Sequence, residues 1–445
     1  MGTTLLKEEV PMIQLPMRFI KDAARSVKRV YQEEFKKTRD SVLTDLLGIS
    51  MLVVTMYMVR REDNHEVLHL WCTHRHDVTI CPKCGTASET IHSEKKRCVR
   101  HLDIFGKKTF LHFMSRRFTC EKCDKIFTEQ LPFVEEHRRQ TIAFEKYIYE
   151  CCLSSNRKKV AKQLTLSQSA VREIFNRYAK SKVTCCGDII TRILGIDEIS
   201  LKKRHKQFAL IISDIERKCV LAVFSERSEE TLIKWLSSLT DQQRKAIKYA
   251  SIDMWSPYYQ AVRKILPHAK VVVDRFHVMK HLNERINQIR KKIQKNTKNE
   301  SVIAALKGSR WLLVRNRNEL SSKDEQKLKE ILALCPELKV LYLLKEEFRF
   351  IFEKIESREK AERFLLAWRR KALYTGNPFL IRFVKTLTNW WNQILNYFIE
   401  KVTNGFVEGL NGAIRNMIRR AYGYRNFQNF KLQVFAEQGF HTNPR

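Results

Sequence analysis

The sequence predicts a multidomain α+β protein, and three observations predict it. Two C-x-x-C pairs sit in a stretch of strand-like texture. Strands and helices alternate from Arg192 to about His281. Long charged amphipathic runs with apolar stripes then fill residues 282–403 and imply an almost purely helical insertion. At 445 residues the chain has room for about three domains at roughly 150 residues each.

Composition narrows the class. Hydrophobic residues make up 44%, with only 13 Gly and 9 Pro, which excludes disordered, collagen-like and disulfide-scaffold chains. There are 83 Lys and Arg against 49 Asp and Glu, a net charge of +34, so the expected partner is a polyanion, nucleic acid before an anionic membrane. The most apolar run, Leu46 to Val59, has 14 residues, short of the roughly 20 that span a bilayer. It is rich in β-branched residues and leads through a polar turn into VLHLW, the pattern of a β-hairpin. No membrane partner is expected.

The arm, residues 1–42, carries Lys7, Arg18, Lys21 and Arg25 without an apolar signal core. Ile20, Ala24, Val27 and Tyr31 share a helical face, so the arm is expected to be helical, with no function assigned. With no export signal, the 12 cysteines are expected to be reduced thiols or metal ligands.

Residues 43–133 read as a β-rich zinc ribbon. Cys81-Pro-Lys-Cys84 and Cys120-Glu-Lys-Cys123 form two knuckles, each aiming two thiolates at one point, and four sulfurs match the tetrahedral preference of zinc. The 35 residues between them exceed the usual spacing and contain strand-like stretches, as long β-arms would. Two unrelated buried pairs, or a redox pair, is the plain alternative. No open catalytic position is evident, so the expected Zn2+ is structural. Cys151, Cys152, Cys185 and Cys186 lack knuckle spacing and read as ordinary thiols.

Residues 134–185 read as a helix-turn-helix segment. Val160, Ala161 and Leu164 line a first helix; Thr165-Leu166-Ser167 makes a turn with Ser167 as N-cap; Ala170, Val171, Ile174 and Phe175 line the second helix. That leaves Gln168, Ser169, Arg172 and Arg177 outside, where a recognition helix contacts DNA. A helical hairpin with a solvated basic face is the alternative.

The α/β part opens with ILGIDEIS, KQFALIIS and KCVLAVFS, a three-stranded meander with Asp197 in its first strand. A helix, the strand YASID ending at Asp253, another helix and the strand KVVVD ending at Asp274 follow. This β-β-β-α-β-α-β order is that of a ribonuclease-H-like fold, in which the first and fourth strands lie side by side and bring their acids together. Glu198 should face away from Asp197, since side chains alternate along a strand, and it reads with Asp214 as an ordinary turn or cap residue. A later helix, TNGFVEGLNGAIRNMIRR, should supply a third acid. Phe406, Leu410, Ala413 and Met417 form its expected buried stripe, with Asn404, Glu408, Asn411 and Arg415 on the other side. Three converging carboxylates repel one another, and two Mg2+ ions roughly 3.5–4 Å apart would relieve that repulsion and support in-line phosphoryl transfer.

These residues resemble a bacterial insertion-sequence transposase of the ISL-three family, within the DDE group. The resemblance covers roughly residues 43–440 and rests on the ribbon, the helix-turn-helix, GIDE, SIDMWSPY, VVVDRFHVMKHLNE and TNGFVEGLNGAIR. It implies that Asp197, Asp253 and Glu408 are the catalytic, metal-holding triad, with Mn2+ able to replace Mg2+. Residues 190–281 and 404–440 would form the catalytic domain, and residues 282–403 its helical insertion. Asp274 and His277 resemble a D-x-x-H element whose expected role is supporting the acids or contacting DNA, and Asn404, Asn411 and Arg415 are expected beside them. The implied partners are the element's terminal repeats and target DNA, in a homodimer or larger assembly, in the bacterial cytoplasm on the nucleoid. The arm matches nothing in the family pattern.

Two basic runs fit that partner. Lys280 to Arg317 holds 11 Lys and Arg against Glu284 and Glu300. Gly409 to Ala436 holds five and no acid, including Arg419 and Arg420, interleaved with Tyr422, Tyr424, Phe427 and Phe430, and is expected to contact the cleaved strand. Trp390 and Trp391 lie in an apolar-striped helix and are expected in the core rather than on a base. The rival readings are a non-catalytic DNA-binding regulator and a purely hydrolytic nuclease.

Overall fold

The structure is a computed structural model describing residues 42–62, 65–184, 190–202, 207–401 and 405–439. The expected helical arm, Cys185, Cys186 and Asn404 lie outside the described residues. The chain divides into two compact units, Met1–Cys151 and Cys152–Arg445.

In the first unit, β1 (Leu52–Glu62) and β2 (His65–His74) form the antiparallel hairpin expected from the apolar run. The run's first residues instead complete a short helix over 42–47, and Leu47 packs beneath the sheet. Long arms follow: β5 (Ile91–Ile104) and β6 (Lys107–Thr119) pair antiparallel, and β2 joins β6 in parallel. Phe105 and Gly106, both at positive φ, make the tight reversal that a right-twisted hairpin requires. Alternation puts Leu68, Leu70, Cys72, Val99, Leu111 and Phe113 on the buried face. A second minimal hairpin, β3 (Thr79–Ile80) with β4 (Ala87–Ser88), and β7 (Ile126–Thr128) on the end of β6 frame the two knuckles.

The second unit is built on a mixed sheet of order β10-β9-β8-β11-β12. Strands β8 (Ile193–Lys202), β9 (Gln207–Asp214) and β10 (Cys219–Phe224) form the expected meander, and β11 (Tyr249–Ile252) and β12 (Lys270–Val273) add in parallel beside β8. On one face Leu194, Ile196, Ala250 and Ile252 pack against helices Glu229–Ser238 and Ser256–Ile265. On the other, Ile199, Ile211 and Val223 receive helices Gly405–Arg420 and Phe427–Gln438. Gly195 is what lets that second layer approach. A Cβ there would stand 2.6 Å from Ser213 Oγ and 2.9 Å from Val407 Cγ2, so the helix carrying Glu408 and Asn411 seats directly on β8.

A short helix, Asp241–Ala246, was not anticipated; Thr240 and Gln243 start it with a reciprocal capping box. The largest core belongs to the helices between β12 and residue 400, around Phe348, Trp368 and Phe383. Trp390 and Trp391 pack against it, as expected of them. Helix Arg275–Asn296 leaves the end of β12 and runs unbroken through positions 281–282, where the sequence suggested a boundary. Among the described residues, no helix is long and apolar enough to cross a membrane.

Candidate active site

Strand register aligns three acids. The β8–β11 ladder ends at Ile196↔Ile252 and the β11–β12 ladder at Ile252↔Val273. The next residue along each strand is Asp197, Asp253 or Asp274, so the three stand in a row across adjacent parallel strands, Asp197 midway along β8 and the other two just past the carboxyl ends of β11 and β12. Chain reversal into helices explains two of them. Asp253 precedes helix Ser256–Ile265, and Asp274 is the N-cap of helix Arg275–Asn296, its side chain accepting from the Phe276 N–H at 3.1 Å.

The first turn of that helix delivers His277. Its Nδ1 lies 2.7 Å from Asp253 Oδ1 and 3.0 Å from Asp274 Oδ2. Burial alone would lower the imidazole's pKa, but the two carboxylates outweigh it and raise it to about 10. Asp197 is 8% exposed. Its Oδ1 accepts from the Glu198 N–H, and its Oδ2 accepts from Asn411 Nδ2. Burial, and then the neighbouring Asp253, push its carboxyl up to about 6. Ligand atoms of Asp197, Asp253 and His277 all lie within 4.8 Å of one another.

Glu408 is placed differently. It is an exposed residue in the first turn of Gly405–Arg420, outside that close group. With Asp274 it lines a cavity of about 480 Å3. Partial burial and Asp274 hold its carboxyl above the usual range, against His277 and Arg275. The buried stripe of its helix is Val407, Leu410, Asn411, Ile414 and Met417. Phe406 and Ala413 are only half-buried, and Asn411 turns inward rather than out with Glu408 and Arg415.

Residues given no site role from sequence also stand near the acids. Glu198, on the opposite face as expected, is gripped by Arg227 Nη1 at 2.7 and 2.8 Å. Tyr258 is buried, its hydroxyl has no hydrogen-bond partner, and burial with Glu198, Asp197 and Asp253 raises its pKa. Its place in SIDMWSPY, five residues after Asp253, was the available signal. Asp214 is a turn residue, accepting from the Arg217 N–H at 2.8 Å.

In the first unit the four knuckle cysteines come together. Cys81 Sγ is 3.6 Å from Cys123 Sγ and Cys84 Sγ is 3.4 Å from Cys120 Sγ, with all four within 4.8 Å. A tetrahedral ion with Zn–S of about 2.3 Å sets sulfurs roughly 3.8 Å apart. The knuckles are built alike: Cys81 N–H donates to Thr86 O and Cys120 N–H to Lys125 O, with Gly85 and Asp124 at positive φ. Thr86 pulls the Cys84 thiol down to about 6.

The helical hairpin comprises Arg157–Gln163 and Gln168–Thr184, joined through Thr165 at positive φ, and Ser167 Oγ accepts from the Ala170 N–H at 3.2 Å. Gln168, Ser169 and Arg172 are exposed, while Arg177 is half-buried beside the Tyr178 ring. Arg157 lies 4.1 Å from the Phe175 ring and donates to Gln433 at 3.1 Å, docking the pair on helix Phe427–Gln438. Arg415 and Arg419 are exposed; Arg420 is ion-paired with Glu437.

Known proteins match this layout. A family model described as transposase matches residues 194–434, one for the zinc-finger of transposase IS204/IS1001/IS1096/IS1165 matches 77–123, and one for the helix-turn-helix domain of transposase family ISL3 matches 129–179. The chain is 28% identical over 377 residues to the transposase for insertion sequence element IS1001 of Bordetella parapertussis, covering 84% of this chain and 92% of that protein. It is 22% identical over 373 residues to the transposase for insertion sequence element IS1557 of Mycobacterium tuberculosis, covering 78% and 83%. The transposase model spans more than half of the sequence, and a ribbon, a helix pair and an acid-bearing sheet stand where the three models expect them: the chain belongs to the ISL3 family of insertion-sequence transposases.

Proposed function

We propose that this transposase cuts and joins DNA through Asp197, Asp253 and Glu408, on a ribonuclease-H-like domain formed by residues 190–281 and 404–440 and interrupted by the insertion 282–403. The observation that carries the reading is the row of carboxylates on β8 and at the end of β11, with the Asp197 carboxyl pushed up to about 6 by burial and by Asp253. Like charges kept this close favour a counter-charge beyond that of His277, and the carboxylate oxygens of Asp197, Asp253 and Glu408 suit hard divalent cations, Mg2+ or Mn2+. Asp197 and Asp253 would hold two divalent cations with Glu408 from the facing helix, and the chemistry these would supply is activation of the attacking oxygen and stabilisation of the leaving one. His277 and Asp274 orient Asp253, and Asn411 orients Asp197.

Water attacks the phosphodiester at the element end and frees a 3′-hydroxyl, which then attacks a target phosphodiester. The helix pair (residues 134–185), through Gln168, Ser169, Arg172 and Arg177, and the ribbon (residues 43–133), held by a structural Zn2+ on Cys81, Cys84, Cys120 and Cys123, bind the terminal repeats. Arg415, Arg419 and Arg420 contact the cleaved strand. Holding two ends together calls for a homodimer or larger assembly.

The test is a gel assay with labelled element ends and a target plasmid, with and without Mg2+. Glu408→Ala and Asp253→Asn are expected to bind ends normally and to lose both cleavage and joining. Cleavage without joining by the unaltered protein would favour a plain nuclease, and full activity in either variant would remove the triad.

A further inference from the structure

We propose that Trp255 and Phe276 stack on unpaired bases on either side of the scissile phosphodiester, so that the enzyme cuts a locally melted DNA end. The inference rests on the acid cluster being the cleavage site. Each aromatic stands two residues beyond an aligned aspartate, Trp255 after Asp253 and Phe276 after Asp274. Both are left open, at 42% and 49% exposure, although helices on both faces of the sheet bury most of its apolar side chains.

Each also has a cation beside it. The Arg227 guanidinium lies 5.6 Å from the Trp255 ring and is fixed from the Glu198 face of the sheet, 4.0 Å from the Phe208 ring and with its Nη1 donating to both Glu198 carboxylate oxygens. Phe276 lies edge-on to His277 at 5.6 Å and lines the 480 Å3 cavity with Arg275, Arg315, Arg349 and Asn283. That volume lies within the roughly 300–1,000 Å3 of small-ligand pockets, the size class of an extruded base, and Asp274, Glu319 and Glu408 also line it. Asn283 Oδ1 is buried without a hydrogen-bond partner, as an acceptor awaiting a base edge would be.

Duplex geometry makes the inference specific. In a paired duplex the base faces are stacked against one another, and only base edges and backbone face the enzyme. A ring beside the acids can meet a base only after that base leaves the stack. Stacking on an aromatic ring then offsets the cost of unpairing, without reading sequence. Trp390 and Trp391 pack against the helical core and do not offer such a platform.

The experiment compares cleavage by the full-length protein on two substrates with Mg2+: a fully paired element end, and one mismatched on each side of the cleaved bond. Trp255→Ala and Phe276→Ala are expected to cut the paired end roughly tenfold more slowly than the unaltered protein and to recover most of that loss on the mismatched end. Trp255→Phe should stay close to the unaltered rate, and unchanged end binding and melting temperature show that the variants fold. Variants that cut paired DNA at full rate, or that are equally slow on both substrates, overturn the inference. If the unaltered protein cuts neither substrate, or Asp253→Asn cuts both, the acid cluster itself is the wrong site and the inference falls with it.

Discussion

Asn411 donates a hydrogen bond to Asp197 across 214 positions of sequence, tying helix Gly405–Arg420 to the strand that carries the first acid. With the Glu198 N–H on the other oxygen, it favours the charged carboxylate, while burial and Asp253 favour the neutral one. Asn411→Ala is therefore expected to raise the Asp197 pKa further and to weaken divalent-cation binding near neutral pH several-fold. A Mn2+ titration of end cleavage reads this directly. An unchanged half-saturating concentration would mean that Asn411 only packs.

The pH dependence of the cation-free protein follows from the same acid. Asp197 keeps its proton up to about pH 6 when folded, whereas an unfolded aspartate loses it near about 3.9. Its contribution is thus fully present below the unfolded value and is lost as pH rises through about 6. Asp197→Asn is expected to be more stable than the unaltered protein above that pH, by up to about 3 kcal/mol, and to bind no catalytic cation. Melting curves in chelator below and above the transition test the sign; a destabilised variant at high pH contradicts it.

Gly195→Ala probes the layer contact. The new methyl meets Ser213 and Val407 well inside normal contact distance, so β8 or the Glu408 helix must shift. Overpacking of this kind costs roughly 1–3 kcal/mol, and here it also displaces Asn411 from Asp197. We expect a lower melting temperature together with a cleavage defect that outlasts correction for the unfolded fraction. A stability loss with normal cleavage per folded molecule would separate the contact from the site.

Much of the five-stranded sheet that carries the acids is legible in sequence because its strands are short, β-branched and punctuated by polar turns. Asp197, Asp253 and Asp274 end or interrupt three of them, and parallel register does the rest. What sequence does not give is rotation and long-range pairing. The apolar spacing of Gly405–Arg420 allows two stripes; contact with Gly195 selects the one containing Val407 and turns Asn411 inward. His277 bridges acids from two strands, a juxtaposition no local pattern encodes. Arg420 also pairs with Glu437 on the next helix, a partner no local pattern encodes. The Asp241–Ala246 helix is too short for periodicity, although its T-x-x-Q start was present in the sequence.

The ribbon yields the last prediction, through how little else holds its tip. Around the knuckles the buried apolar side chains are Phe118 and Phe127, beside Cys81 and Cys120 themselves. Two phenyl rings contribute only a few kcal/mol of burial, far less than ordering two loops costs. Four thiolates on one ion contribute on the order of 10–16 kcal/mol. Further down the arms a buried pair, Arg116 on Glu129, with the exposed Asp77 on the same guanidinium, holds β6 against the end of β7 without any ion. Chelation, or Cys120→Ser, should therefore unravel the knuckles and abolish end binding while the sheet of β1, β2, β5 and β6 stays folded. Elemental analysis should return one zinc per chain, and hydrogen exchange should locate the loss of protection around 81–88 and 119–128. Protection that survives complete zinc removal would show that the protein side chains alone are enough.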